Sequence, residues 1–158
     1  MNILVTGGAG YVGSHACKAL AAKGYVPITY DNLSRGNLWA VKWGPFEKGD
    51  VADARQVQAA LEKYQPAALM HFAAYAYVGE SVEQPLRYYA NNTVASRALA
   101  EACIECGMKN FIFSSTATVY AVDATQPLAE TEPTVPISPV CGAILSWPRC
   151  CIASNCWP

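Results

Sequence analysis

Asn2-Ile3-Leu4-Val5-Thr6-Gly7-Gly8-Ala9-Gly10-Tyr11-Val12-Gly13 is an apolar run that opens into glycines at 7, 10 and 13. The pattern predicts a buried strand over residues 2–6, a tight turn, and a helix over 11–23 closed by Gly24. A helix that starts this way offers free backbone N–H groups and the positive end of its dipole, which together suit a phosphate. Gly7 permits the turn, Gly10 lets backbone approach a pyrophosphate, and Gly13 lets the helix pack closely. The ligand class so indicated is the dinucleotides.

Outward from this turn the elements alternate. A second strand runs from Tyr25 to Tyr30 and ends in the polar loop Asp31-Asn32-Leu33-Ser34-Arg35-Gly36. Residues 38–48 read as an aperiodic connection. Asp53 is placed to cap a helix whose apolar positions are Val57, Ala60, Leu61 and Tyr64, and Pro66 stops it. A third strand covers 67–71, and an Ala-rich helix extends from about Pro85 through Cys106. Phe111-Ile112-Phe113 forms a fourth strand, running into Ser114-Ser115-Thr116. The β-α-β order implies an α/β fold, a doubly wound parallel sheet of the NAD-binding Rossmann type, truncated after about four strands.

The totals narrow the function further. With 11 basic and 12 acidic residues in 158, charge is near balance and nothing suggests a nucleic-acid surface or polybasic membrane binding, so neither partner is expected. Apolar residues make up 53% and the mean hydropathy is +0.13, yet no run approaches the ~18 residues of a membrane span. Met1 lies one residue from the first strand, with no secretory leader between, so a cytoplasmic location is expected. Cys103-Ile104-Glu105-Cys106 has C-x-x-C spacing but sits late in a helix, where no dipole stabilises a thiolate, and no second pair completes a zinc set. Cysteines are therefore expected as reduced thiols, and no metal is expected.

Asp31 stands eighteen residues after Gly13 at the end of the second strand. A carboxylate there accepts the adenine-ribose hydroxyls and repels a 2′-phosphate, which favours NAD over NADP; Arg35 is a milder signal in the opposite sense. Asp50 and Val51 are placed to edge and cover an adenine ring. Phe72-Ala73-Ala74 follows the third strand at the carboxyl edge of the sheet, where ligands of open α/β sheets bind. His71 reads as a core or strand-end histidine rather than an acid or base.

These motifs resemble one family. Thr6-Gly7-Gly8-Ala9-Gly10-Tyr11-Val12-Gly13-Ser14-His15, Tyr30-Asp31-Asn32-Leu33-Ser34, Gly49-Asp50-Val51 and His71-Phe72-Ala73-Ala74 are similar to the UDP-glucose (UDP-galactose) 4-epimerases, extended short-chain dehydrogenase/reductase enzymes. So are Val78-Gly79-Glu80-Ser81, Tyr88-Tyr89-Ala90-Asn91-Asn92 and Phe113-Ser114-Ser115-Thr116-Ala117-Thr118-Val119-Tyr120. The likeness spans residues 1 to about 139, which makes 1–139 an incomplete NAD-binding domain.

The resemblance implies a tightly held NAD that takes hydride from C4 of a UDP-hexose and returns it to the other face of the 4-keto sugar, while a tyrosinate moves the hydroxyl proton. It implies cofactor contacts at Gly7, Gly10, Tyr11, Val12, Gly13, Asp31, Asn32, Asp50, Val51, Phe72, Ala73, Ala74, Asn92 and Ser114. It implies substrate contacts at Asn92 and Thr116, with Thr116 as the catalytic hydroxyl, and a homodimeric parent. Ala76 departs from the pattern, because many epimerases carry a lysine there.

A larger departure follows. The family's Tyr-x-x-x-Lys pair is due after Pro136-Ile137-Ser138-Pro139, but Val140 and Ile144 stand in its place. From Val140 to Pro158 there is one charged residue, Arg149, with four cysteines and two tryptophans. This stretch is expected to be a non-family tail, irregular in structure, such as a reading-frame shift near residue 139 would produce. Reading the coding DNA in all frames tests that origin: the idea fails if no frame encodes Tyr-Gly-x-x-Lys. The expectation for this chain is an epimerase by descent that lacks its base and is inactive. The alternatives are an NAD-binding module without catalysis and a nucleotide-sugar 4,6-dehydratase relative, the latter needing acidic residues where Ala117 and Thr118 stand.

Overall fold

The computed structural model describes residues 1–121 and 127–145. Its centre is a parallel sheet of β1 (Asn2–Thr6), β2 (Val26–Asp31), β3 (Phe46–Lys48), β4 (Ala68–His71) and β5 (Phe111–Phe113), in the order β3-β2-β1-β4-β5. Helix α1 (Tyr11–Ala22) links β1 to β2, and α2 (Ala54–Tyr64) links β3 to β4. Between β4 and β5 run α3 (Val78–Glu83), α4 (Pro85–Tyr89), a π-helical turn at Ala90–Val94, and α5 (Ala95–Glu105).

The strand faces explain the layering. Leu4, Ile28 and Leu69 have no exposed surface and pack with Val57, Ala60 and Leu61 of α2 and Leu99, Ala102 and Cys103 of α5. Ile3 and Val5 point the other way, onto Cys17 and Leu20 of α1. A strand buried on both faces reads as a continuous apolar run, which is why residues 3–5 show no alternation. Local signals end the helices. Asp53 accepts hydrogen bonds from the backbone N–H groups of Arg55 and Gln56 at the start of α2. Gly24, just past α1, takes the left-handed conformation with φ +81°.

The structure departs from the sequence-based expectation in three places. Among the described residues the sheet has five strands, not about four: Phe46–Lys48, within the supposed connection 38–48, pairs with Thr29 to Asp31 of β2. Three residues are too few to display a period, and register here comes from the partner strand. Secondly, the helical stretch expected from about Pro85 through Cys106 is present over residues 85–105, but with a π turn at Ala90–Val94 within it. Thirdly, the tail expected to be irregular from residue 140 is helical over residues 139–145. Ser138 precedes the helix with Pro139 at its first position, a favoured start, and Gly142 N–H donates to Ser138 O at 3.0 Å. Val140, Cys141 and Ile144 share the face that packs on Tyr88, so apolar burial supplies what composition alone did not reveal. Residues 146–158 lie outside the described residues. Cys17, Cys103, Cys106 and Cys141 are free thiols.

Candidate functional site

At the carboxyl ends of β1, β2 and β4, a cavity of about 440 Å³ opens where the strand order reverses, the place where open α/β sheets bind ligands. Its floor is the glycine turn. Gly7 has φ +71°, and a Cβ there would lie 2.6 Å from Ala73 N. At Gly13 a Cβ would lie 2.2 Å from Gly7 O, so the first turn of α1 can rest on the loop only without a side chain. Gly10 caps α1 without a side-chain hydrogen bond, and the first turn carries no acidic residue. The positive helix end therefore faces the cavity with no acidic side chain of its own first turn against it.

Asp31 forms the other end. It is 8% exposed, and its carboxylate accepts from Ala9 N–H at 3.0 Å and from Leu33 N–H at 2.8 Å. These bonds tie the β2 loop to the glycine turn and fix the carboxylate while it still borders the cavity. Leu33 pays for this geometry with φ +61°. Tyr11, Val12, Asn32, Val51, Phe72, Ala73 and Ala74 line the same cavity.

Four predicted residues fall outside that lining. Asp50 directs its carboxylate to Asn32 Nδ2 and Ala52 N–H, both at 2.9 Å. Asn92 is 2% exposed, its amide bound to the backbone of Tyr75. Ser114 anchors the end of β5 through its N–H to His71 O at 3.1 Å. Thr116 opens a 3-10 turn, Ala117–Val119, accepting from Thr118 N–H at 3.3 Å. Its Oγ1 lies 2.9 Å from Thr118 Oγ1, which in turn accepts from Cys141 Sγ at 3.2 Å. Val140 and Ile144 are 3% and 7% exposed and carry no titratable group.

The cavity also uses residues that the sequence analysis did not select, among them Tyr30, Gly36, Tyr75, Tyr77 and Asn91. Asn91 sits beside the predicted Asn92, and a one-residue shift of facing is set by the π turn that holds both. Tyr75 and Tyr77 belong to a loop whose direction no local pattern specifies.

His71 is a structural residue here. It is wholly buried, with Nδ1 2.6 Å from Thr6 Oγ1 and Nε2 2.8 Å from Ser96 Oγ. Because the Ser96 hydroxyl donates to Asn92 O at 2.8 Å, its oxygen accepts the Nε2 proton, which leaves Nδ1 to accept from Thr6. The neutral ring is thus fully satisfied, and burial pushes its pKa down to about 4.

The glycine cradle, the uncapped helix end and the fixed Asp31 fit a dinucleotide. Comparison with known proteins agrees with that chemistry. Residues 3–141 match the model of the NAD dependent epimerase/dehydratase family. The chain is 47% identical over 138 residues to the UDP-glucose 4-epimerase of Rhizobium meliloti (strain 1021), covering 87% of this chain and 42% of that enzyme. The UDP-glucose 4-epimerase of Brucella ovis in complex with NAD superposes with a TM-score of 0.93 at 45% identity, over 98% of this chain and 47% of that one. The Thermotoga maritima UDP-glucose 4-epimerase with UDP-glucose gives 0.89 at 37% identity, over 97% and 50%. The chain thus spans about half the length of these solved relatives or less. No helix among the described residues is long and apolar enough to cross a membrane.

Proposed function

Because the chain belongs to the NAD dependent epimerase/dehydratase family, we propose that its cavity binds NAD as the cofactor half of a UDP-glucose 4-epimerase, and that this chain does not itself epimerise. The observation that carries the binding half is one cavity bordered both by the uncapped start of α1 and by Asp31. The helix end receives the pyrophosphate, and Asp31 accepts the adenosine ribose hydroxyls. When bound, the cofactor supplies hydride acceptance and return. Thr116, whose hydroxyl oxygen is held by Thr118 N–H, supplies the hydroxyl for the reacting oxygen of a UDP-hexose.

What the described residues lack is a base at the family's position. A tyrosine with a lysine four residues on would give a titratable oxygen with a depressed pKa; two buried alkyl side chains cannot move a proton. The dehydratase reading is less well supported, because Ala117 and Thr118 provide no acid beside Thr116.

Calorimetric titration with NAD, run beside a UDP-galactose to UDP-glucose assay, tests both halves. Saturable binding with no turnover above a mock preparation is expected. Turnover would overturn the inactivity, and absence of binding would overturn the cofactor reading.

A further inference from the structure

Arg35 lines the same cavity as Asp31, but its guanidinium is directed to Glu80 and not to the Asp31 carboxylate. The backbone at its neighbour Gly36 lies against the Asp31 carboxylate: a Cβ there would stand 2.9 Å from Oδ1 and 3.0 Å from Oδ2. An arginine rooted at that place could turn its guanidinium to the ribose end of the cavity, where it would neutralise a 2′-phosphate. Instead Nη2 donates to both carboxylate oxygens of Glu80, each at 2.6 Å. The guanidinium carbon lies over two rings, 5.1 Å from the centre of Tyr75 and 5.3 Å from that of Tyr77. Cation–π contact together with paired hydrogen bonds holds an arginine in one direction better than either contact alone.

Glu80 is itself held. Its second oxygen accepts from the hydroxyl of Tyr88, a side chain with no exposed surface, at 2.8 Å. Arg87 adds a contact at 3.1 Å. An exposed ion pair would be worth little by itself, but this carboxylate is anchored to the core through Tyr88.

We infer that Glu80 is a positioning residue for cofactor discrimination: it draws the Arg35 guanidinium onto α3, so that the Asp31 carboxylate alone meets the adenosine ribose. This deepens the NAD reading above and rests on it. Selection against a 2′-phosphate then has two parts, repulsion by Asp31 and engagement of the Arg35 guanidinium by Glu80.

The test titrates NAD and NADP separately into the full chain and into Glu80→Ala, Glu80→Gln, Arg35→Ala and the double variant Arg35→Ala/Glu80→Ala. In Glu80→Ala the NADP-to-NAD affinity ratio rises about five- to tenfold, the effect of one charge-assisted contact to phosphate. Glu80→Gln keeps a neutral acceptor for Arg35 and gives a smaller rise. In the double variant the ratio returns to its starting value, and Arg35→Ala alone leaves it unchanged. An unchanged ratio in both Glu80 variants, or a rise that survives removal of Arg35, overturns the inference while leaving NAD binding intact. If the unaltered chain binds neither dinucleotide, the cofactor reading itself fails and this inference falls with it.

Discussion

Asn92 closes both ends of its amide on one residue: Oδ1 accepts from Tyr75 N–H and Nδ2 donates to Tyr75 O, each at 2.8 Å. The pair imitates a strand ladder between a buried side chain and a loop, and it sets the course of the chain that lines the cavity from Tyr75 to Tyr77.

Asn92→Asp keeps the shape and reverses one polarity, placing an oxygen against the Tyr75 carbonyl and burying a charge. Asn92→Ala leaves both Tyr75 backbone groups without this partner. We expect a loss of about 2–4 kcal/mol in stability for each, with the larger loss for Asp, because orphaned buried polar groups are costly and buried unpaired charges more so. NAD affinity falls in both as the loop loosens. Denaturant melts with parallel NAD titrations check this; an Asn92→Asp chain as stable as the original would contradict it.

His71 gives stability a pH dependence of known sign. In the unfolded chain its imidazole titrates near the ordinary 6.5, and in the folded chain at about 4. Between these values the unfolded state binds a proton that the folded state refuses. This contribution is therefore complete above pH 6.5, declines as the pH falls towards 4, and changes no further below that. Its depth is on the order of 3 kcal/mol. Urea unfolding from pH 4 to 7 should show a shallower slope for His71→Gln than for the original chain, and parallel curves would refute the assignment.

Ile144 tests the helix at residues 139–145. It is 7% exposed and shares an apolar cluster with Tyr88, Val140 and Cys141. Ile144→Ala should cost about 2–4 kcal/mol, and Ile144→Leu under about 1.5 kcal/mol, as core substitutions do. Ile144→Lys should be the most damaging of the three, since it places a cation in an alkyl site. Thermal melts by circular dichroism rank them. An alanine variant with unchanged melting would show that this helix does not pack as described.

The parts of the site legible in the sequence are those with local causes. Gly7 and Gly13 are dictated by the turn they make, and Asp53 by the helix it caps. Asp31 lies at a strand end whose position follows from the strand before it. What escaped depends on partners distant in the chain. β3 is a strand because β2 lies beside it, and residues 139–145 have an apolar face only in relation to Tyr88. The resemblance makes Asn92 a cofactor and substrate contact, whereas its amide is bound to Tyr75, in a loop that no periodicity describes. Arg35 was visible as a charge near Asp31, whereas its destination, Glu80, lies 45 residues further along.

The π turn at Ala90–Val94 holds one residue more than a regular helix would use for the same advance. Each residue of an α-helix turns the next side chain by about 100°, so this extra residue acts as a gear between two rods on a common axle. Before it, Tyr88 meshes with the helix at residues 139–145; after it, Leu99 and Cys103 mesh with the sheet. Removing a single residue here would leave every hydrogen-bonding group able to form a helix and every apolar side chain present. It would nonetheless turn one half out of engagement with its partner, so that the chain is sensitive at this point to count as well as to chemistry.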